Sequence, residues 1–483
     1  MVNPDKTSIE IEAFDFHVLP METRFPFKYG IASMTHLPHL IVRVKMVVGG
    51  KESVGIASEG LPPKWFTKNL DTTFEEDLPW MLKAIEYAAS EVSGLQAPSF
   101  FDLWLGIQER QKQWGRDTGE PPLLAGLGSS LVERAILDGF CRGVGIPFSQ
   151  VVRDNLLGIR VGELDESLGD VEPVSLLPEK ALTKIQVRHT VGLGDPLTDA
   201  DIAEPLNDGL PHSLEASIRQ YGLSYFKIKL CGDLEMDRER LANIRSVLDA
   251  ETGGEYRITL DGNEQFRDVG SFRECWDELR GDERVRPLFD HLIFVEQPLH
   301  RDQALDESVR VTLEGWESAP PIIIDESDAE IGSFPRAFSL GYSGTSHKNC
   351  KGVVKGILNA MRIEKLRRAE PYRKFILSGE DLVNVGPVAL LQDLAVMATL
   401  GIEHVERNGH HYFLGLSAWP QSVQDQVIEC HPGLYRRDEH SFPVLRINEG
   451  ELHIKSVIEA PFGTEFLLDA DLFSTLEEWK AKS

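Results

Sequence analysis

Cysteine is scarce and scattered in this sequence. Five residues (Cys141, Cys231, Cys275, Cys350 and Cys430) lie far apart with no CxxC pair, which excludes a disulfide framework and a zinc-finger-type site. Reduced thiols in a cytoplasmic protein are the expectation. Positive charge is also short. Fifty Lys and Arg face 77 Asp and Glu, a formal net charge of -27, which argues against nucleic acid or an anionic membrane as a partner. No apolar run is long enough to span a bilayer, and the opening "MVNPDKTSIEIEAFDF" lacks the basic start and apolar core of a secretory signal, so none is expected. Low-complexity tracts are missing too. What remains is an ordinary globular composition, 42% hydrophobic and 26% charged over 483 residues, enough for two or three domains.

The pattern changes along the chain. "IEIEAFDFHVL" and "HLIVRVKMVVGGKESVGIASEG" are rich in β-branched residues around a "VGGKE" turn, and "FEEDLPWMLKAIEYAASEV" and "SSLVERAILDGFCRGVGI" have helical spacing. Residues 1–150 thus form an α+β unit. From residue 184 to 410 short apolar runs alternate with helical stretches. The runs are "KIQVRHT", "YFKIKL", "YRITLD", "LIFVEQP", "PIIIDES", "YSGTSHK", "KFILSGE" and "IEHVERN". Strand–helix alternation implies parallel strands with right-handed crossovers, and eight such units are the count of a (β/α)₈, TIM-like barrel. The alternation stops after 410, and residues 411–483 read as a return to another domain.

Barrel enzymes keep their chemistry at the C-terminal ends of the strands. There the second strand carries Lys227 and Lys229, two apart and so on one face. The third, fourth and fifth strands end in Asp261, Glu296 and Asp325, spaced 35 and 29 residues apart, about one β/α unit each. Any one of these acids alone fits a helix N-cap equally well. Three after consecutive strands suit a hard divalent cation, Mg²⁺ first and Mn²⁺ second. Lys348 ends the sixth strand; Ser378, Glu380 and Asp381 end the seventh; Glu406 ends the eighth. A substrate at such a cation would sit between Lys229 and Lys348. An isolated KxK is more often a solvated strand edge, and its place before the acidic series reverses that preference. Lys227, as a like charge beside Lys229, would favour that neighbour's neutral form, and a neutral lysine is a usable general base.

"FKIKL", "LDGNEQF", "FVEQP", "IIIDES" and the downstream Lys348 resemble the enolase superfamily, nearest its muconate lactonizing enzyme-like and mandelate racemase-like branch. "RFPFKYGIASMTHLPHLIVRVKM" resembles the start of that family's capping domain with its mobile specificity loop, and "LVERAILDGFCRGVGIPFSQVV" resembles the helix that hands over to the barrel. The resemblance implies an α+β capping domain built from the N-terminal segment and the C-terminal tail. It implies Mg²⁺ on Asp261, Glu296 and Asp325, acid/base roles for Lys229 and Lys348, and Lys227 holding the substrate carboxylate and perturbing Lys229. It places Asn263 near the metal and Glu406 against the substrate. The implied reaction is removal of the proton α to a carboxylate, giving a metal-stabilised enolate of a small carboxylic acid. The expected enzyme is a Mg-dependent racemase, epimerase or cycloisomerase, with a β-elimination lyase or dehydratase as the alternative on the same site. A homo-oligomer is the expected assembly. Specificity is assigned to Arg24, Phe25, Phe27 and Tyr29 on the loop and to Ser378 and the eighth-strand end.

Two departures from the family pattern stand out. "KNCKGVVKG" makes Lys351 a rival to Lys348, and "SGEDL" with His404, His410 and His411 matches no subfamily pattern. Two rivals from other classes are a Schiff-base aldolase using Lys229, which leaves the three acids idle, and a non-catalytic metal-binding barrel. Borohydride trapping against EDTA inhibition separates the first from the Mg²⁺ enzyme.

Overall fold

Three antiparallel strands, β1 (Ile9–Tyr29), β2 (Ala32–Val48) and β3 (Lys51–Gly60), open the structure, a computed structural model whose described residues are 7–29 and 32–482. The side chains of Tyr29 and Ala32 lie outside the described residues. Gly49 and Gly50 turn β2 into β3 at φ of 54° and 81°, the left-handed region that a two-residue hairpin requires. The short strand β4 (Gln96–Ala97) extends this sheet beside β1.

The expected specificity loop takes a different form. β1 continues through Arg24, Phe25 and Phe27 and pairs with β2 as far as Tyr29↔Ala32, with a register shift between Glu22 and Phe27. Phe27 and Met34 are both buried, so this hairpin arm has an apolar face to cover, which holds it as strand rather than as open loop.

Three helices back the sheet. Phe74–Ser90 starts from a capping box of Thr73 and Glu76, and Phe100–Thr118 starts from Ser99. Pro122–Val144 is buried over most of its length and lies hard against β3. A Cβ at Gly55 would come within 2.0 Å of the Ala135 carbonyl oxygen and 2.3 Å of the Gly139 nitrogen. Only glycine permits that approach.

The barrel follows. Its strands are β5 (Lys184–Val191), β6 (Tyr225–Lys229), β7 (Arg257–Asp261), β8 (Leu292–Glu296), β9 (Ile322–Ile324), β10 (Gly344–His347), β11 (Ile376–Gly379) and β12 (His404–Arg407). Neighbours pair in parallel, and β12 pairs with β5 to close the ring. Helices such as Leu234–Thr252, Val353–Ala369 and Val388–Leu400 cover the outside. Beyond residue 411 the chain forms the hairpin β13 (Tyr435–Arg437) and β14 (Pro443–Leu445). It then lays β15 (Glu451–His453) antiparallel on β5, and reaches the first sheet as β16 (Ser474–Thr475) beside β1. Among the described residues no helix is long and apolar enough to cross a membrane.

The close packing of strand on helix sets a prediction. Gly55→Ala should cost about 1–3 kcal/mol through overpacking. Gly106→Ala, in the helix Phe100–Thr118 where a Cβ meets nothing within 4 Å, should gain about 0.5–1 kcal/mol. Urea unfolding of both variants against the parent checks the two signs.

Candidate active site

Register carries three consecutive strand ends to one rim. Lys229 on β6 stands opposite Asp261 on β7, and Asp261 stands opposite Glu296 on β8. Asp325 follows directly after β9, Lys348 after β10 and Glu380 after β11. Each of these side chains is buried.

The two lysines of "KIK" are treated differently. Lys227 Nζ lies 2.7 Å from Glu296, 2.8 Å from Glu380 and 3.0 Å from both Glu406 and Asp261. Burial opposes its charge, and the four carboxylates more than offset that, holding the ammonium well above the usual lysine range. Lys227 is therefore a fixed cation. Lys229 Nζ has one acidic partner, Asp261, at 2.6 Å. On the far side of the acidic strand ends, Lys348 Nζ donates to Asp325 at 2.7 Å and lies 4.3 Å from the centre of the Trp65 ring. Against its own burial, Asp325 raises the Lys348 ammonium above the ordinary range. Lys351 reaches the other oxygen of the same carboxylate. Its Nζ also donates to the Ser346 carbonyl and hydroxyl at 2.8 Å each, and lies 3.1 Å from Asp325 Oδ1, so it ties the ends of β9 and β10 together.

The carboxylates are unequal. Burial would raise Asp325, but Lys348, Lys351 and Lys227 hold it well below the carboxylate range. Glu406 is likewise lowered against its burial by Lys227, Lys229 and Lys348; its oxygens accept from Thr190 Oγ1 at 2.7 Å and the Asp381 amide at 2.9 Å. Glu296 goes the other way, pushed well up by burial and by the neighbouring charges of Asp261 and Glu380. Glu326, which follows Asp325 and was not singled out in the sequence, is pushed up to about 7 by burial, then by Asp325, Glu264 and Asp261.

These residues suit a hard cation by their donor chemistry. The acids are buried oxygen donors, and Asn263 Oδ1 and Glu296 Oε2 are buried oxygens with no hydrogen bond, although the Lys227 ammonium is 2.7 Å from the latter. Among the described residues no three Asp, Glu, His or Cys side chains stand in a metal-holding group, and the Lys227, Lys229 and Lys348 amines bond to Glu296, Asp261 and Asp325.

Other expected residues fall elsewhere. Ser378 faces the barrel interior, where its hydroxyl donates to Glu380 Oε1 and accepts from Arg188 at 3.1 Å. Arg188 also donates to His404 at 2.9 Å. His410 lies 3.1 Å from His189, and His411 lies 3.7 Å from Asp195; burial holds both well below the usual histidine range. Phe25 packs on His411 at 5.0 Å, Phe27 stacks on Tyr412 at 4.0 Å, and Arg24 donates to Asp208 and to the His411 carbonyl. The Tyr29 side chain lies outside the described residues.

Trp65 carried no signal in the sequence. It reaches the site because Arg301 donates to the Trp65 and Phe66 carbonyls at 2.9 and 2.8 Å while gripping Glu264 with two bonds, and Lys68 donates to the Asn263 carbonyl at 2.7 Å. Only the fold brings residues 65–68 to the barrel rim.

Removing the central cation should be costly. Lys227→Met should destabilise the chain by about 3–5 kcal/mol at pH 7, since it leaves buried carboxylates uncompensated. Asp261 and Glu406 are depressed in the folded state, so their contribution is present above the ordinary carboxylate range and lost as pH falls through their lowered values. Urea unfolding in steps from pH 7 to below pH 4 should therefore show the gap between parent and variant held down to the ordinary carboxylate range and narrowing only beneath it.

Residues 210–439 match the enolase C-terminal domain-like family. No curated protein matches the sequence. Several solved structures share the whole architecture. The 2-chloromuconate cycloisomerase from Rhodococcus opacus 1CP superposes with a TM-score of 0.61 at 15% identity, over 95% of this chain and 97% of that one. The muconate lactonizing enzyme from Pseudomonas fluorescens, complexed with muconolactone, gives 0.60 at 17% identity over 95% and 97%. An enolase from Bradyrhizobium, complexed with magnesium and mandelic acid, gives 0.59 at 14% identity over 99% and 98%. The family match thus covers the barrel from the loop before β6 onward, and the fold as a whole is the one shared by these cycloisomerase, lactonizing-enzyme and enolase structures.

Proposed function

We propose that the chain is an isomerase that removes and returns the proton α to the carboxylate of a small acid. The observation that carries this reading is the pair of amine–carboxylate contacts, Lys229 on Asp261 and Lys348 on Asp325, on either side of Glu296. Two proton-transfer groups on opposite walls can serve opposite faces of one carbon. The similar structures include a cycloisomerase and a lactonizing enzyme, which supports the reaction class.

Asp261, Glu296 and Asp325 would hold Mg²⁺, the ion in the complex of the Bradyrhizobium enolase. That ion, when bound, supplies the Lewis acidity that stabilises negative charge on the substrate carboxylate. The chain's own residues do the rest. As they stand, Lys229 and Lys348 are each tied to a carboxylate, so a lysine acting as base must first loosen that bond and shed its proton. Lys227 is tied to four acids and serves as the fixed counter-charge around which Asp261, Glu296, Glu380 and Glu406 gather. Ser378 and Arg188 orient Glu380 from below. Trp65 and the segment anchored by Arg301 close over Lys348 and exclude water. A general base supplies about 10²- to 10⁴-fold of rate. The larger share of the acceleration then falls to fixed charge around the carboxylate.

Incubation with a library of acids, dipeptides and N-acylamino acids in D₂O, followed by mass spectrometry, tests the reading. At least one acid should exchange its α-hydrogen. Exchange should fall by about 10³-fold or more on adding EDTA or in Lys229→Ala and Lys348→Ala for the face each serves. A β-elimination lyase would instead release product from acids with a β-leaving group. Exchange indifferent to both lysines would overturn the proposal.

A further inference from the structure

The segment that carries Lys348 is held from outside the barrel. After Lys348 the chain makes a tight turn, Asn349–Lys351, passes Gly352 at φ 100° and enters the helix Val353–Ala369. No side chain of its own caps that helix. Its first two amides are instead taken by Glu133, which comes from the helix Pro122–Val144. Glu133 Oε2 accepts from the Val353 amide at 3.1 Å and Oε1 from the Val354 amide at 2.7 Å. One turn earlier on the same helix, Ser130 Oγ donates to the Cys350 carbonyl at 2.8 Å. Both side chains are buried. A Cβ at Gly352 would lie 3.3 Å from Glu133 Oε2, so the turn and the carboxylate are fitted closely to each other.

The energetics favour a single anchored geometry. A helix N-terminus presents unsatisfied amides and a partial positive charge, and a carboxylate answers both. Here carboxylate and amides are buried together, so each leaves the other costly to expose. The bonds fall on both sides of a turn that starts at Lys348. The fixed points of the Lys348 main chain are thus set by the N-terminal domain, as is the Trp65 ring that its ammonium faces.

We propose that Glu133, assisted by Ser130, is a positioning residue for Lys348: a carboxylate supplied from the N-terminal domain caps the Val353–Ala369 helix and fixes the turn that presents the sixth-strand lysine. This rests on the reading of Lys348 as the acid/base of one face. A displacement of about 1 Å at a reacting group costs up to about 10²-fold in rate, so the effect should be large and confined to that face.

The test uses the full chain and two readouts. Amide hydrogen exchange is measured over 347–356 in the parent, Glu133→Gln and Ser130→Ala, with peptides from Leu234–Thr252 as the reference. The expected result is exchange about tenfold faster or more at 349–354 with the reference unchanged. Unchanged protection at 349–354 in both variants overturns the inference, whatever the chemistry. The second readout is α-hydrogen exchange in D₂O from each enantiomer of an acid that the parent exchanges, with Lys348→Ala and Lys229→Ala assigning the faces. Glu133→Gln should lower kcat about 10- to 100-fold for the Lys348-dependent enantiomer. KM, and the rate for the other enantiomer, should stay within about twofold, and Glu133→Asp should recover part of the loss. Equal losses for both enantiomers, or a loss in KM alone, overturn it. If the parent exchanges no acid, the proposed function fails, and the amide arm still decides whether Glu133 fixes the turn.

Discussion

The buried ammonium of Lys227 is the point on which the site depends. Four carboxylates from different strand ends meet it: Asp261, Glu296, Glu380 and Glu406. Buried carboxylates repel, and burial alone would protonate them. One shared cation lets them stand close while several stay charged. Below it Arg188 takes the other side of Glu380, so the barrel is filled here with matched charge rather than with the branched apolar layers usual in such barrels. The match is incomplete, since Glu296 and Glu326 are both pushed upward by their neighbours. That residual crowding of negative charge is the electrostatic environment that a hard cation relieves.

The N-terminal domain reaches the same site by separate routes. Trp65 lies against Lys348, and Lys68 and the Arg301–Glu264 pair tie the segment around it to the β7 and β8 loops. The helix Pro122–Val144 holds the far side of the Lys348 turn. The hairpin arm packs Phe25 and Phe27 against His411 and Tyr412 after β12. Its cap is therefore part of the architecture that sets the lysines, more than a cover laid over a finished barrel.

Much of this was legible in the sequence because the barrel writes itself locally. Each strand is a short apolar run and each chemical residue stands at its C-terminal end, so order along the chain is order around the rim. That is why the sequence alone singles out Lys229, Asp261, Glu296, Asp325 and Lys348, and register brings the first three side by side. What stayed hidden was long-range. Trp65 meets Lys348, and Glu133 meets Val354, across hundreds of residues with no pattern in either partner. The partners of the "KIK" lysines were hidden as well: the sequence separates their roles, but only the fold shows Lys227 among four acids and Lys229 on Asp261. The loop at Arg24, Phe25 and Phe27 follows only from the resemblance to the family's capping domain, whereas these residues belong to a paired hairpin arm with a register shift between Glu22 and Phe27.

Equilibrium binding of Mn²⁺ to the full chain, followed by the loss of the free-ion electron paramagnetic resonance signal, tests the central claim most directly. If amines and a hard cation share these carboxylates, one ion per chain should bind, be displaced by Mg²⁺, and be lost in Asp325→Asn while that variant remains folded. A chain that binds no ion, or an Asp325→Asn variant that binds it undiminished, would contradict the account.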